Sequence, residues 1–529
     1  FFKQKTAYEM LRSLVGSEMC IRDSALALPD ASGTTISCQA NTLRIPLGEG
    51  GGRVSAVSRI AASGDSLFLL IDGGLYRTPI LAVDAGAPNL EPVMLPGDEV
   101  AGRPVQELLD LAVDPGSGLV YVLDKIGHVF RYEPAGKRAA ITYRAAPTED
   151  EPDDLPYDFV ALTVDEQGDV ILLDAAHGVL WTPAGLSALE EVSESRGLTS
   201  STDVAYAGNR FYTLQHNGTI RRVRGGAGSE EWRDAQGIRL GLSLFASSHL
   251  GIELLYSVDG LRREIDGLLP GSGETVTRHT FAFPQMGLLR DAVFAGGRLY
   301  AVADADLYVY PGPAGEGGSA DCAAVNLARP TLYGFDVLTL LQGATYPIQG
   351  GTLPPWPRVY PGASRIYRMG VHRGLDIYSF NAPRGFGTGY PVIAAAAGTV
   401  RRATIFYDDM TEEEFEAMLR EAEAAGVTPP DILERLEGIQ VILDHGNGVQ
   451  TVYAHLDQVA PGVVTGAQVR AGQVIGSVGV TGTQGESRPG TVAPHLHFEV
   501  WLGDRYLGFG ITVRETMWWF ASIFPANGE

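Results

Sequence analysis

Cysteine is almost absent: three residues in 529, at positions 20, 38 and 322. A fold stapled by many disulfides is therefore excluded. No run of about 20 apolar residues occurs, so no membrane-spanning helix is expected. Basic residues are scarce, 40 Lys and Arg against 63 Asp and Glu, for a net charge of −23. That balance speaks against a nucleic-acid partner or an anionic membrane surface and suits an extracytoplasmic protein.

What is abundant is glycine and proline, 66 and 31 residues, with 45% hydrophobic residues. This composition favours turns and short strands around real cores, and the length suggests two or three domains. Residues 1–24, from Phe1 to Ser24, resemble translated sequencing adaptor and are excluded from the fold. The true N-terminus, with any export signal or membrane anchor, is expected to have been lost at that junction. Cys38 and Cys322 bracket the middle of the chain. They are either two unrelated buried thiols or one disulfide formed in an oxidising compartment.

After an N-terminal segment (25–53), residues 54–330 repeat one design: two short apolar strands around a turn. Clear copies are Ser66 to Arg77, Leu119 to Tyr132, Asp169 to Trp181 and Arg210 to Ile220, with two more around Asp259-Gly260 and Asp304 to Tyr310. The period, roughly 43–52 residues, is the size of a four-stranded propeller blade. Six copies predict a six-bladed β-propeller, with Leu43 to Leu47 offering a strand to close the ring. Two stacked β-sandwiches are the alternative. His128, His177 and His216 lie in or beside the turns and read as polar turn residues, not metal ligands. The propeller itself reads as a spacer or interaction platform; the alternative is that it binds a wall or protein ligand.

Residues 331–365 are proline-rich and read as a linker. In it, Trp356 and Tyr360 either pack on a domain edge or line a groove. Residues 366–510 carry the chemistry. Ala493 to Val500 reads as a strand, so His495 and His497 share one face while Leu496 and Phe498 share the other. Upstream lie His372 and Asp376, four apart, and Tyr453-Ala454-His455-Leu456 at the end of a return strand.

H-x-x-x-D, Y-x-H-L and H-x-H in this order resemble the M23 (lysostaphin/LytM-type) zinc metallopeptidases, whose domain is a compact β-sheet. The resemblance implies a Zn2+ site with His372, Asp376 and His497 as ligands and His455 and His495 as catalytic residues beside it. Which of the last two acts as general base stays open. It also implies a metalloendopeptidase acting on peptidoglycan peptide, at a cross-link or a bridge. A non-catalytic wall-binding or hydrolase-activating protein is the alternative.

The sequence departs from the simplest family pattern at 409–437, a helical insertion with a capping box from Thr411 to Glu414 and a stop at Gly426. It is either surface decoration or a wall of the groove. His445 sits in a turn and reads as structural. Residues 511–529 read as a terminal helix and tail packed on the domain. The overall expectation is a mainly β chain.

Overall fold

The computed structural model describes residues 34–36, 41–44, 56–86, 89–146, 157–223, 228–233, 240–249, 252–281, 286–310, 329–341 and 343–525. The adaptor-like segment, Cys20, Cys38 and Cys322 lie outside the described residues, and with them the expected cysteine pairing.

Six antiparallel sheets follow one another in chain order: 57–94, 108–143, 159–194, 201–233, 241–281 and 289–310. The strand Asn41–Arg44 completes the sixth sheet by pairing antiparallel with Asp306–Tyr310. A second early strand, Thr34–Ile36, adds in parallel to the outer edge of the fifth. The innermost strand of each sheet packs on that of the next, and the last on the first, Leu289–Ala295 against Val57–Ser63. The ring is closed, so the architecture is a six-bladed propeller and not a pair of sandwiches. Ser66–Ile71 is buried along its whole length, because both faces of a blade meet neighbouring blades.

Near the propeller axis the inner strands bring one cation and three acids together. Arg59 meets Asp110 at 2.9 Å and Asp203 at 3.2 Å, and donates to Leu242 O at 3.1 Å. The acids also tie blades together. Asp110 accepts from Leu162 N, Asp203 from Leu244 N and Asp291 from Ile60 N, each bond crossing to another blade.

The C-terminal domain is a seven-stranded sheet. Its main path runs Leu375–Ile377, Leu496–Leu502, Val449–Ala454, Val441–Gly446, Gly398–Ala403 and Gln468–Val469. Leu375, Ile377, Tyr453, Leu496 and Phe498 fill its core. The stretch 331–365 is more than a linker. Leu332, Val337, Tyr346, Ile348 and Tyr360 are buried in that same core, the apolar residues between its prolines supplying the reason. Tyr360 is thus a packing residue, and Trp356 packs edge-on against Phe380.

The insertion forms two helices, α1 (Glu412–Ala425) and α2 (Pro430–Leu436). Thr411 caps α1 by accepting from Glu414 N, and Gly426 ends it in the left-handed region. The terminal helix α3 (Val513–Ile523) touches the propeller as well as its own domain. Its buried Glu515 receives Arg290 of the sixth blade in two bonds of 2.8 Å.

A second buried contact joins the domains at Glu107. It accepts from Lys125, from Tyr506 Oη at 2.5 Å and from Gly510 N at 2.7 Å. None of the described helices is long and apolar enough to cross a membrane.

Candidate metal centre and active site

Strand pairing assembles the site. Asp376 stands directly opposite His497, and His497 directly opposite Ala454 on the next strand. The chain then turns through His455, whose φ of 57° is left-handed, and switches into a second small sheet. That turn swings the His455 ring beside His495 and His497, with centroids 4.9 and 5.4 Å away.

His372 arrives on a different support. It follows a small hairpin, Ser364–Arg365 paired with Gly370–Val371. Ile366 and Met369 at its tip are buried among Leu109, Tyr143, Phe159 and Leu172 of the propeller. Gln106 of the propeller also donates to Met369 O at 2.9 Å. The propeller therefore fixes the loop that presents His372. Between His372 and Asp376 only glycine fits at position 374, where a Cβ would stand 2.6 Å from His497 Nε2.

His372 Nε2, Asp376 Oδ1 and His497 Nδ1 converge, with mutual distances of 2.9, 2.9 and 3.1 Å. They are the only such group among the described residues. The outer ring nitrogens fix the tautomers, since a carbonyl only accepts. His372 Nδ1 donates to Tyr360 O at 3.1 Å, His455 Nδ1 to Thr481 O at 2.9 Å and His495 Nδ1 to Ala493 O at 3.0 Å. Their Nε2 lone pairs are left facing the centre. For His497 the outer partner is Glu499, 3.0 Å from Nε2, which leaves Nδ1 facing inward. Trp501 Nε1 holds the other Glu499 oxygen at 2.6 Å. A carboxylate behind a metal-binding imidazole orients it and raises its basicity.

Electrostatics sort the histidines. Burial, with Arg365 nearby, holds His372 down to about 3. Burial also keeps His455 well below its ordinary range and lowers His495. Burial opposes a charge on His497 too, but the Asp376 and Glu499 carboxylates outweigh it and push it up to about 9. The centre thus gathers negative charge and lone pairs around one point. Two imidazole nitrogens and one carboxylate oxygen, with a fourth direction free, suit tetrahedral zinc.

The five site residues named from sequence occupy one cavity of about 690 Å³. His495 Nε2 is 3.9 Å from Asp376 Oδ1, and its ring stacks on Tyr378 at 4.5 Å. His445 stands apart and bonds Ala397 O and Thr451 at 2.8 Å each. Phe415 and Leu419 of α1 and Leu433 and Leu436 of α2 line the cavity, so the insertion forms one of its walls.

Four participants were not singled out from sequence: Glu499, Arg365, Glu437 and Asp158. Glu499 had a readable signal, since it lies two residues beyond His497 on the same strand face. Arg365, bonded to Asp376 Oδ2 at 3.0 Å, and Asp158, contributed by the propeller, had none.

No curated protein matches the chain. Among solved structures, the chain is similar to virginiamycin B lyase from Staphylococcus aureus, at 12% identity and TM-score 0.36, over 51% of this chain and 97% of that one. It is also similar to the catalytic domain of the prophage-encoded M23 protein EnpA from Enterococcus faecalis, at 19% identity and TM-score 0.17, over 26% of this chain and 74% of that one. Scores this low carry no weight, and the fold assignment stands on strand pairing. Residues 421–508 match Peptidase family M23, a span that includes His455, His495 and His497. His372 and Asp376 lie before it; Asp376 joins the site through the sheet and His372 from the hairpin beside it. Over residues 421–508, then, the chain carries a domain of peptidase family M23, built onto a six-bladed propeller.

Proposed function

We propose that this protein is a zinc metalloendopeptidase that hydrolyses peptide cross-links of bacterial peptidoglycan outside the cytoplasm. The observation that carries the reading is the convergence of inward ring nitrogens from His372, His497, His455 and His495, together with Asp376, in one cavity. His372, Asp376 and His497 would hold the ion. Zinc, when bound, polarises the scissile carbonyl and lowers the pKa of water.

The chain's own residues supply the rest. His455 and His495 are neutral with bare Nε2 atoms, so either can take a proton from the attacking water and return it to the leaving amine. Between those two transfers, the histidine that carries the proton steadies the oxyanion. Arg365 and Glu499 hold Asp376 and His497 in register. The walls contributed by α1 and α2 limit the entry of bulk water.

Metal analysis of the purified protein, paired with a peptidoglycan digest whose products are identified by mass, tests this. One zinc per chain and newly released peptide amines are expected. Stoichiometric zinc without any released peptide would make the protein a wall-binding module instead. Cleavage by metal-free protein would remove the metallopeptidase reading.

A further inference from the structure

A row of rings leads from the buried centre to an exposed side chain. Tyr378, two residues beyond Asp376, stacks on His495 with centroids 4.5 Å and planes 17° apart. Phe380 stacks on Tyr378 at 5.4 Å and 24°. Trp356 meets Phe380 edge-on at 4.8 Å. His495, Tyr378 and Phe380 all line the cavity; His495 is buried and Phe380 exposed.

The turn that carries Tyr378 is pinned. Tyr378 follows directly on the strand Leu375–Ile377, which holds Asp376. Its backbone N donates to Asn381 Oδ1 at 3.0 Å, and Asn381 Nδ2 donates to Thr352 O at 2.9 Å. Thr352 N returns a bond to Asn381 O at 2.8 Å. The Tyr378 ring therefore stands on a fixed base.

His495 is the ring that needs such a support. His372 and His497 are bonded at both ring nitrogens. His455 reaches a carbonyl 26 residues away, Thr481 O. His495 Nδ1 has only Ala493 O, two residues back along its own chain. Ala493 is exposed, so water competes for that carbonyl. One bond to a local acceptor leaves an imidazole free to turn about Cβ–Cγ. The neighbouring His455 ring is tilted 55° to it and does not brace its face. An offset stack favours near-parallel planes and so opposes that turning.

We propose that Tyr378 is a positioning residue whose ring face holds the His495 imidazole with Nε2 directed at the centre. This rests on the peptidase reading of the same cavity and deepens it. A catalytic group that swings away from the reacting atoms loses rate without losing substrate. The aromatic face does the holding, and the phenol hydroxyl is dispensable.

The test compares Tyr378→Leu, which keeps an apolar side chain but no ring, with Tyr378→Phe, which restores the ring without the hydroxyl. In the zinc-loaded full chain, Tyr378→Leu should keep its zinc and its KM and lose about tenfold in kcat, less than removal of His495 itself. Tyr378→Phe should rescue kcat. Proton NMR of the metal-free, histidine-labelled full chain gives a readout that needs no cleavage. The His495 ring protons, identified as the signals missing from His495→Gln, should be shifted upfield by the stacked ring. They should stay upfield in Tyr378→Phe and return downfield in Tyr378→Leu.

Equal kcat in all three proteins would overturn the proposal. So would an equal loss in Tyr378→Phe and Tyr378→Leu, which would give the role to the hydroxyl. Loss of zinc from Tyr378→Leu would also overturn it, making Tyr378 a support of the metal ligands. Unshifted His495 ring protons in the unaltered chain would overturn it without any variant. The two readings fail separately. An unaltered protein that releases no peptide removes the peptidase reading, while the ring-proton shifts still decide whether Tyr378 holds His495.

Discussion

The propeller and the cleft both bury arginine, and they treat it in opposite ways. At the propeller axis Arg59 is 3% exposed and is met by two aspartates, with a third on the neighbouring strand. In the cleft Arg368 is 7% exposed and is met by a threonine, a tyrosine and a backbone carbonyl. The first arrangement is neutralised within the chain and has no need of a ligand. The second has no carboxylate within ion-pair distance among the described residues, and Glu437 acts on it from farther away. A buried cation therefore does not by itself mark a site; the two differ in how closely their counter-charges stand.

The largest effects test the metal side of that contrast. Alanine at His372, Asp376 or His497 removes one of three protein bonds to zinc. Metal content should fall to background and cleavage with it, as read by mass spectrometry of metals and by digest. The propeller's melting should not change. Loss of zinc from His495→Ala with retention in His497→Ala would show that the two histidines have exchanged roles.

Next comes the closed cluster. Arg59→Met strands buried carboxylates, so unfolding in urea should show a loss of about 3–5 kcal/mol. Zinc per folded chain should stay the same. An unchanged midpoint would mean that the acids are neutral and that the comparison is wrong.

His455→Ala and His495→Ala leave all three zinc bonds in place. They should retain zinc yet lose roughly 10²-fold in rate, the scale of one acid–base or oxyanion group.

Arg368→Met is the mirror of Arg59→Met. No carboxylate is stranded, so stability should stay within about 1 kcal/mol of the unaltered protein or rise. A loss as large as that of Arg59→Met would put the two arginines in one class.

The smallest effect is a pH slope. Burial raises Asp124 to about 7 and Asp158 to about 6. The folded chain keeps these protons where the unfolded chain has lost them. Their contribution is complete below about pH 4 and drains as pH rises through 6 to 7. Melting of the propeller should therefore ease between pH 5 and 8, and a slope of opposite sign would refute the assignment.

What could be read from sequence was what is local. The strand face shared by His495 and His497, the four-residue step from His372 to Asp376, and the blade turns all depend on neighbours within a few residues. The insertion's helices were legible from Thr411, Gly426 and the spacing of Phe415 and Met418. Its place as a cavity wall was not, because that depends on the sheet bringing Val400 and Val441 together. The closing strand was anticipated at Leu43 to Leu47 and is found at Asn41–Arg44. Contacts such as Tyr506 with Glu107 or Arg290 with Glu515 span hundreds of residues, and no spacing rule announces them. For the same reason 331–365 looked like a linker: its core partners lie on distant strands.

The ring closure sets an order of events during synthesis. The sixth blade pairs Asp306–Tyr310 with Asn41–Arg44, so the ring cannot shut until residue 310 has left the ribosome. Arg290, on that last blade, has Asp304 at 3.6 Å beside it, but its two-bonded partner Glu515 comes about 200 residues later. At 5–20 residues per second that is a wait of about 10–40 s. For that interval the nascent propeller leaves the surface that will receive α3, with Arg290 in it, uncovered. A translating cell therefore has a window in which this face is open to chaperones, and docking of the peptidase domain is what ends it.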